Sequence, residues 1–138
     1  MKLHLGVRET PYLEDPGVNT GDVAEWLEEK YHVMEIFAGS HIDEIADNMA
    51  DNMAGIVEKI MSGGSAPEPQ YLFNEAMGKT IDRFHEFLTL EEMAGWPGVP
   101  TQAALDGVQS RFKKLRGPRR PSFVDTGLYF DSFLAWIE

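Results

Sequence analysis

The chain has 138 residues, 43% of them hydrophobic, no cysteine and a formal net charge of -11. That length fits one domain with a modest core; the apolar content excludes global disorder, and the lack of thiols excludes a disulfide framework or a thiolate metal site. Residues 1–100 carry 19 of the 23 acidic residues, and six of the 12 basic ones lie between Arg111 and Arg120. An acidic body with one basic patch is poorly suited to coating DNA, which needs many phosphate contacts, and well suited to docking through complementary surfaces. MKLHLGVRET, the first ten residues, lacks the apolar core of a secretory signal. No run approaches the roughly 18 apolar residues of a membrane span, so no leader and no membrane association are expected.

Residues 2–8, KLHLGVR, place Leu3, Leu5 and Val7 on one side of an alternating pattern, which predicts a short strand. A lone strand needs a partner from elsewhere in the chain or from another subunit. Residues 9–21 hold two prolines and two glycines and predict a loop. A helix is expected from about Asp22, capped by Thr20 or Asp22, with Val23, Trp26, Leu27, Tyr31, Met34 and Phe37 as its apolar stripe. Gly39 then breaks or bends it. Ser40 and Asp43 resemble a capping box for a second helix over 41–61, with Ile42, Ile45, Met49, Met53, Ile56 and Ile60 facing inward. SGGSAPEPQ at 62–70 predicts a flexible break. The third helix is expected over 72–93 with Phe73, Met77, Ile81, Phe84 and Leu88 as its stripe, followed by a rigid turn, GWPGVP, at 95–100. Thr101 caps an expected fourth helix with Leu105, Val108, Phe112 and Leu115 inward. A basic patch of Arg111, Lys113, Lys114 and Arg116 closes it, where cations suit the helix dipole.

The last stretch, RRPSFVDTGLYFDSFLAWIE at 119–138, follows the most basic segment and is unusually rich in rings. Asp125 reads as a turn residue, and Thr126 as the cap of a short helix that puts Leu128, Tyr129, Phe133, Trp136 and Ile137 on one face, with Phe130 and Leu134 elsewhere. Such a helix is marginal alone, so something must cover it. Either its own domain does so, or part of it fills a groove on a neighbouring subunit. In the second case the docking set is Arg119, Arg120, Phe123, Asp125, Thr126, Tyr129, Phe130, Phe133, Leu134 and Trp136, with the two arginines meeting acidic surface such as the 1–100 region of an adjacent copy. The expected fold is mainly α (α+β): one domain over 1–138 with four to five helices and a short N-terminal strand that pairs in a small sheet.

Catalytic patterns are sparse. There is no dinucleotide-binding glycine motif and no P-loop, since GGSAPEP has no following Lys-Ser/Thr. His4, His32, His41 and His85 form no HExxH pair. The single Asp-Thr-Gly precedes a helical pattern, whereas an aspartic protease needs two copies in a strand-rich setting. A metal-dependent hydrolase or nuclease would have to be built from His41, Asp43, Glu44 and His85. No catalytic residue, metal or cofactor is expected.

Four segments carry a resemblance: KLHLGVRETPY at 2–12, TGDVAEWLEEKYHVMEIF at 20–37, GVPTQAALDGV at 98–108 and RRPSFVDTGLYFDSFLAWIE at 119–138. Together they resemble head-tail joining and tail-completion (neck) virion proteins of tailed bacteriophages. The most specific match is a basic-Pro-x-Phe-x-Asp-Thr-Gly pattern at Arg120, Pro121, Phe123, Asp125, Thr126 and Gly127, continued at Ser132 and Phe133. Residues 40–97 match least. The resemblance implies a non-enzymatic structural subunit that forms or completes a ring in the neck or upper tail. Its implied partners are further copies of itself and neighbouring neck, portal-side adaptor or tail-tube proteins, with room for phage DNA to pass through the lumen without specific contact. It also implies residence in the virion after assembly in the host cytoplasm. Known folds of this kind continue into further strands after the motif, whereas this sequence stops at Glu138. The alternative is a small phage-encoded metal-dependent hydrolase or nuclease.

Overall fold

A computed structural model gives the conformation of residues 1–13, 15–107, 118–124 and 127–138. In chain order the elements are β1 (Leu3–Val7), β2 (Pro11–Tyr12), β3 (Asp15–Asn19), α1 (Thr20–Tyr31), α2 (Val33–Met61), α3 (Asn74–Thr89), α4 (Gln102–Asp106), α5 (Leu128–Asp131) and β4 (Phe133–Ile137). The architecture is mainly helical with two small antiparallel ribbons, β1–β4 and β2–β3. The ribbon over Pro11–Asn19 replaces the loop expected there.

Asn19, rather than Thr20 or Asp22, caps α1. Its side chain accepts from the Asp22 N–H at 3.0 Å, and the Asp22 carboxylate accepts from the Asn19 N–H at 2.9 Å. This reciprocal box satisfies two donors at the helix start. Thr20 is fully buried instead and ties the start of α1 to the residue that follows β1 by donating to the Arg8 carbonyl at 2.6 Å.

The first two helices meet at His32, not at Gly39. His32 adopts a left-handed conformation with φ 55°, closing α1 through its N–H to the Glu28 carbonyl at 3.0 Å. The Glu28 carboxylate then accepts from the Met34 and Glu35 N–H groups at 2.9 Å each, so one side chain of α1 caps the start of α2. An anion there also suits the helix dipole. Gly39 and Ser40 lie inside the 29-residue α2. A mid-helix glycine costs only about 1 kcal/mol relative to alanine, less than breaking a continuous hydrogen-bonded rod.

α2 packs on α3, and Val33, Phe37, Ile45, Ala76, Met77, Phe84, Phe87 and Leu88 are buried between and around them. Phe37 sits at the centre, with ring centroids 5.1 Å from Phe84 and 5.4 Å from Phe87. Ile42 and Ile60, expected inward, are exposed, while His41 and Asn52 take buried positions. Asn52 spans the break between the helices, donating to the Leu72 carbonyl at 3.1 Å and accepting from the Ala76 N–H at 3.0 Å. Residues 64–68 are irregular, and a short 3-10 turn, Pro69–Tyr71, leads into α3. α3 ends at Thr89, short of the expected 93, but Met93 still turns back into the core.

Thr101 caps α4 as expected, accepting from the Ala104 N–H at 3.2 Å. That helix closes at Asp106 with Gly107 left-handed; Ala104 is buried and Leu105, expected inward, is exposed. Val108, Phe112, Leu115 and the basic patch Arg111, Lys113, Lys114 and Arg116 lie outside the described residues, as do Asp125 and Thr126.

The largest departure is the last segment. One helical turn, α5, gives way to β4, which pairs antiparallel with β1 in the register Leu3↔Ile137, Leu5↔Ala135 and Val7↔Phe133. The aromatic residues therefore alternate with period two rather than sharing a helical face.

Candidate functional site

The surroundings of β4 are the candidate docking site. Backbone bonds join Lys2 and Glu138 in both directions, at 2.7 and 2.9 Å, and Arg8 N–H to the Ser132 carbonyl at 2.7 Å. By antiparallel alternation His4–Trp136 and Gly6–Leu134 are the hydrogen-bonded pairs between these ends. Phe133, Ala135 and Ile137 then face the core together with Leu3, Leu5 and Val7, leaving Leu134 and Trp136 on the opposite face.

Most of the expected docking set is engaged within the chain. Phe133 is 2% exposed and stacks on Phe84 with centroids 3.7 Å apart. Tyr129 is buried beside the same ring; its burial, then the nearby Glu28 carboxylate and Tyr12, push the phenol well above the usual tyrosine range. Phe130 stacks on His85 at 4.1 Å, and the His85 Nε2 lies 2.9 Å from the Phe130 carbonyl. Phe123, left-handed at φ 68°, packs against Tyr31 at 5.0 Å. Arg119 pairs with Glu91 of its own chain at 2.9 Å, and Arg120 donates to the Val124 carbonyl at 3.1 Å. Trp136 differs: it is 45% exposed and lies flat on His4, with centroids 5.2 Å apart. The indole also crosses Gly6, where a Cβ would sit 3.2 Å from the ring, so this glycine makes room for it. Leu134 shares that outer face and is half-buried. Beside β4 lies a cleft of about 380 Å³ lined in part by Met1, Phe73, Met77, Trp136 and Ile137.

The residues that would have to form a hydrolase do not gather. His41 is buried between Glu44 and Glu92, its Nδ1 and Nε2 each 3.3 Å from a carboxylate oxygen, the second without hydrogen-bond alignment. Arg83 reaches the same two carboxylates at 3.3 and 2.8 Å, and Glu86 at 3.4 Å. The carboxylates are thus held by charge partners that tie α2, α3 and the following turn together. His85 belongs to the separate Phe130 contact. Elsewhere Glu28, His32 and Glu35 bring potential ligand atoms within 4.8 Å of one another. Both Glu28 oxygens already accept backbone N–H groups and His32 Nδ1 pairs with Glu35 at 3.0 Å, so helix capping accounts for this cluster.

Sequence reasoning missed Asn52 and the Glu28 cap. An asparagine inside an apolar stripe was the available sign of the first; nothing in the periodicity marked the second. No protein-family model, no curated protein and no solved structure matches the chain.

Proposed function

We propose that this chain is a non-enzymatic structural subunit of a tailed-phage virion, one that assembles with copies of itself into a ring forming or completing the head-tail junction as a neck, tail-completion or tail-terminator component. The observation that supports an assembly role is the far half of α2. A 29-residue helix is about 43 Å long, and past Ile45 only Asn52 on it is buried. Val57, Ile60 and Met61 follow at three- and four-residue spacing and are 49%, 46% and 83% exposed. Grouped apolar side chains left in water mark surfaces that bind other proteins.

The head-tail location rests on the resemblance of the four segments quoted above. Neighbouring portal-side adaptor or tail-tube proteins are the partners in this reading, with phage DNA passing through the lumen and no membrane or cofactor involved. Assembly takes place in the host cytoplasm and the product resides in the virion. An Ile60→Glu, Met61→Glu double variant tests the surface. Both side chains are exposed, so melting is expected to stay unchanged while the assembled fraction falls. Assembly at the unaltered level, alone and with the neighbouring proteins, would remove this support.

A further inference from the structure

The two edges of the β1–β4 ribbon match each other. In an antiparallel pair, residues that do not exchange hydrogen bonds point their N–H and C=O groups outward. Here those are Leu3, Leu5 and Val7 on β1, and Phe133, Ala135 and Ile137 on β4. Among the described residues no further strand pairs with either edge. Open edges of this kind are templates for another chain.

Charge selects which chain. β1 is flanked by Lys2 and Arg8, and β4 by Asp131 and Glu138. Lys2, Arg8 and Asp131 make no ion pair with a described residue. The strand that best fits the outer edge of β4 is therefore a second β1. Laid antiparallel in the register used within the chain, it puts a basic residue near each acid and keeps Leu3 and Leu5 on the apolar side. There the cleft walled by Phe73 and Met77 would receive them.

We infer that copies of this chain join head to tail, the outer edge of β1 in one hydrogen-bonding to the outer edge of β4 in the next. Such a contact uses two different surfaces, so it repeats and closes into a ring if the rotation permits. The inference deepens the ring reading by naming the contact, and it rests on that reading.

The cysteine-free sequence gives a clean test. Two single variants, Lys2→Cys and Glu138→Cys, are purified separately, mixed and mildly oxidised. Neighbours in this register bring position 2 of one copy beside position 138 of the next. Like positions are two strands apart, about 10 Å, too far for a disulfide. Linked dimers in the mixture and none in either variant alone are expected. A second variant, Ala135→Pro, removes one outward N–H without breaking a bond of the ribbon. It is expected to weaken assembly about tenfold with melting nearly unchanged. If the full-length chain assembles but the mixture does not cross-link, or each variant links equally well alone, the edge pairing is wrong and the ring reading stands. If the chain stays monomeric with and without the neighbouring ring proteins, both fall.

Discussion

Phe133 and Trp136 stand three residues apart in one strand and do opposite things. Phe133 is packed face to face on Phe84 inside the core, whereas Trp136 covers Gly6 and His4 from the solvent side. Truncating Phe133 to alanine empties a packed site and is expected to cost about 3–5 kcal/mol; Trp136→Ala should cost about 1 kcal/mol, the scale of one exposed ring contact. Urea titration of the two variants checks the ordering, and equal losses would mean that the outer face is as tightly packed as the inner. Tyr129 adds a pH signature. Its phenol is held neutral by burial and by the Glu28 charge, while tyrosine in the unfolded chain ionises near pH 10. Its contribution to stability is therefore intact below about pH 10 and is lost as pH rises beyond it. Tyr129→Phe should flatten the fall in melting temperature between about pH 9 and pH 11; an unchanged fall would assign the alkaline loss to other groups.

Elements were legible in proportion to their length. The α2 and α3 stripes repeat every three or four residues over many turns, so Phe37, Ile45, Met77, Phe84 and Leu88 could be placed inside from periodicity alone. β4 has five residues, few enough that helical and alternating patterns fit equally well. What decides for a strand is the long-range pairing with β1, whose need for a partner was itself readable. The α1–α2 junction was misplaced because Gly39 is a visible breaker, whereas the Glu28 carboxylate that caps α2 acts across the turn and leaves no periodic trace. Among the proposed docking residues, charge and aromatic content were visible, but not that Arg119 would meet Glu91 within its own chain. His32→Gly removes a left-handed non-glycine residue at a half-exposed turn and should stabilise the fold by about 1 kcal/mol in urea; a loss would show that the His32–Glu35 contact outweighs the strain. Deleting 128–138 removes Tyr129, Phe133 and the partner of β1 together, so cooperative melting should disappear. Normal melting with assembly lost would instead make the segment a pure docking arm.

At the largest scale, an aromatic core supports surfaces that no described residue fully covers: the outer half of α2, the face carrying Trp136, and the two edges of the β1–β4 ribbon. In the proposed ring, the acidic residues spread over 1–100 would keep free copies apart at long range and leave contact to short, specific surfaces. Raising salt would screen both that repulsion and the proposed attraction of Lys2 and Arg8 for the acids flanking β4. The proposed role of this chain is that of a ring-forming structural subunit. It is tested by the mass of the purified protein in sedimentation and native mass measurement, alone and mixed with the portal-side and tail-tube proteins that the proposed function names as neighbours. A single closed oligomer, alone or once a neighbouring ring is supplied, is expected; a strict monomer that joins neither would overturn the proposal.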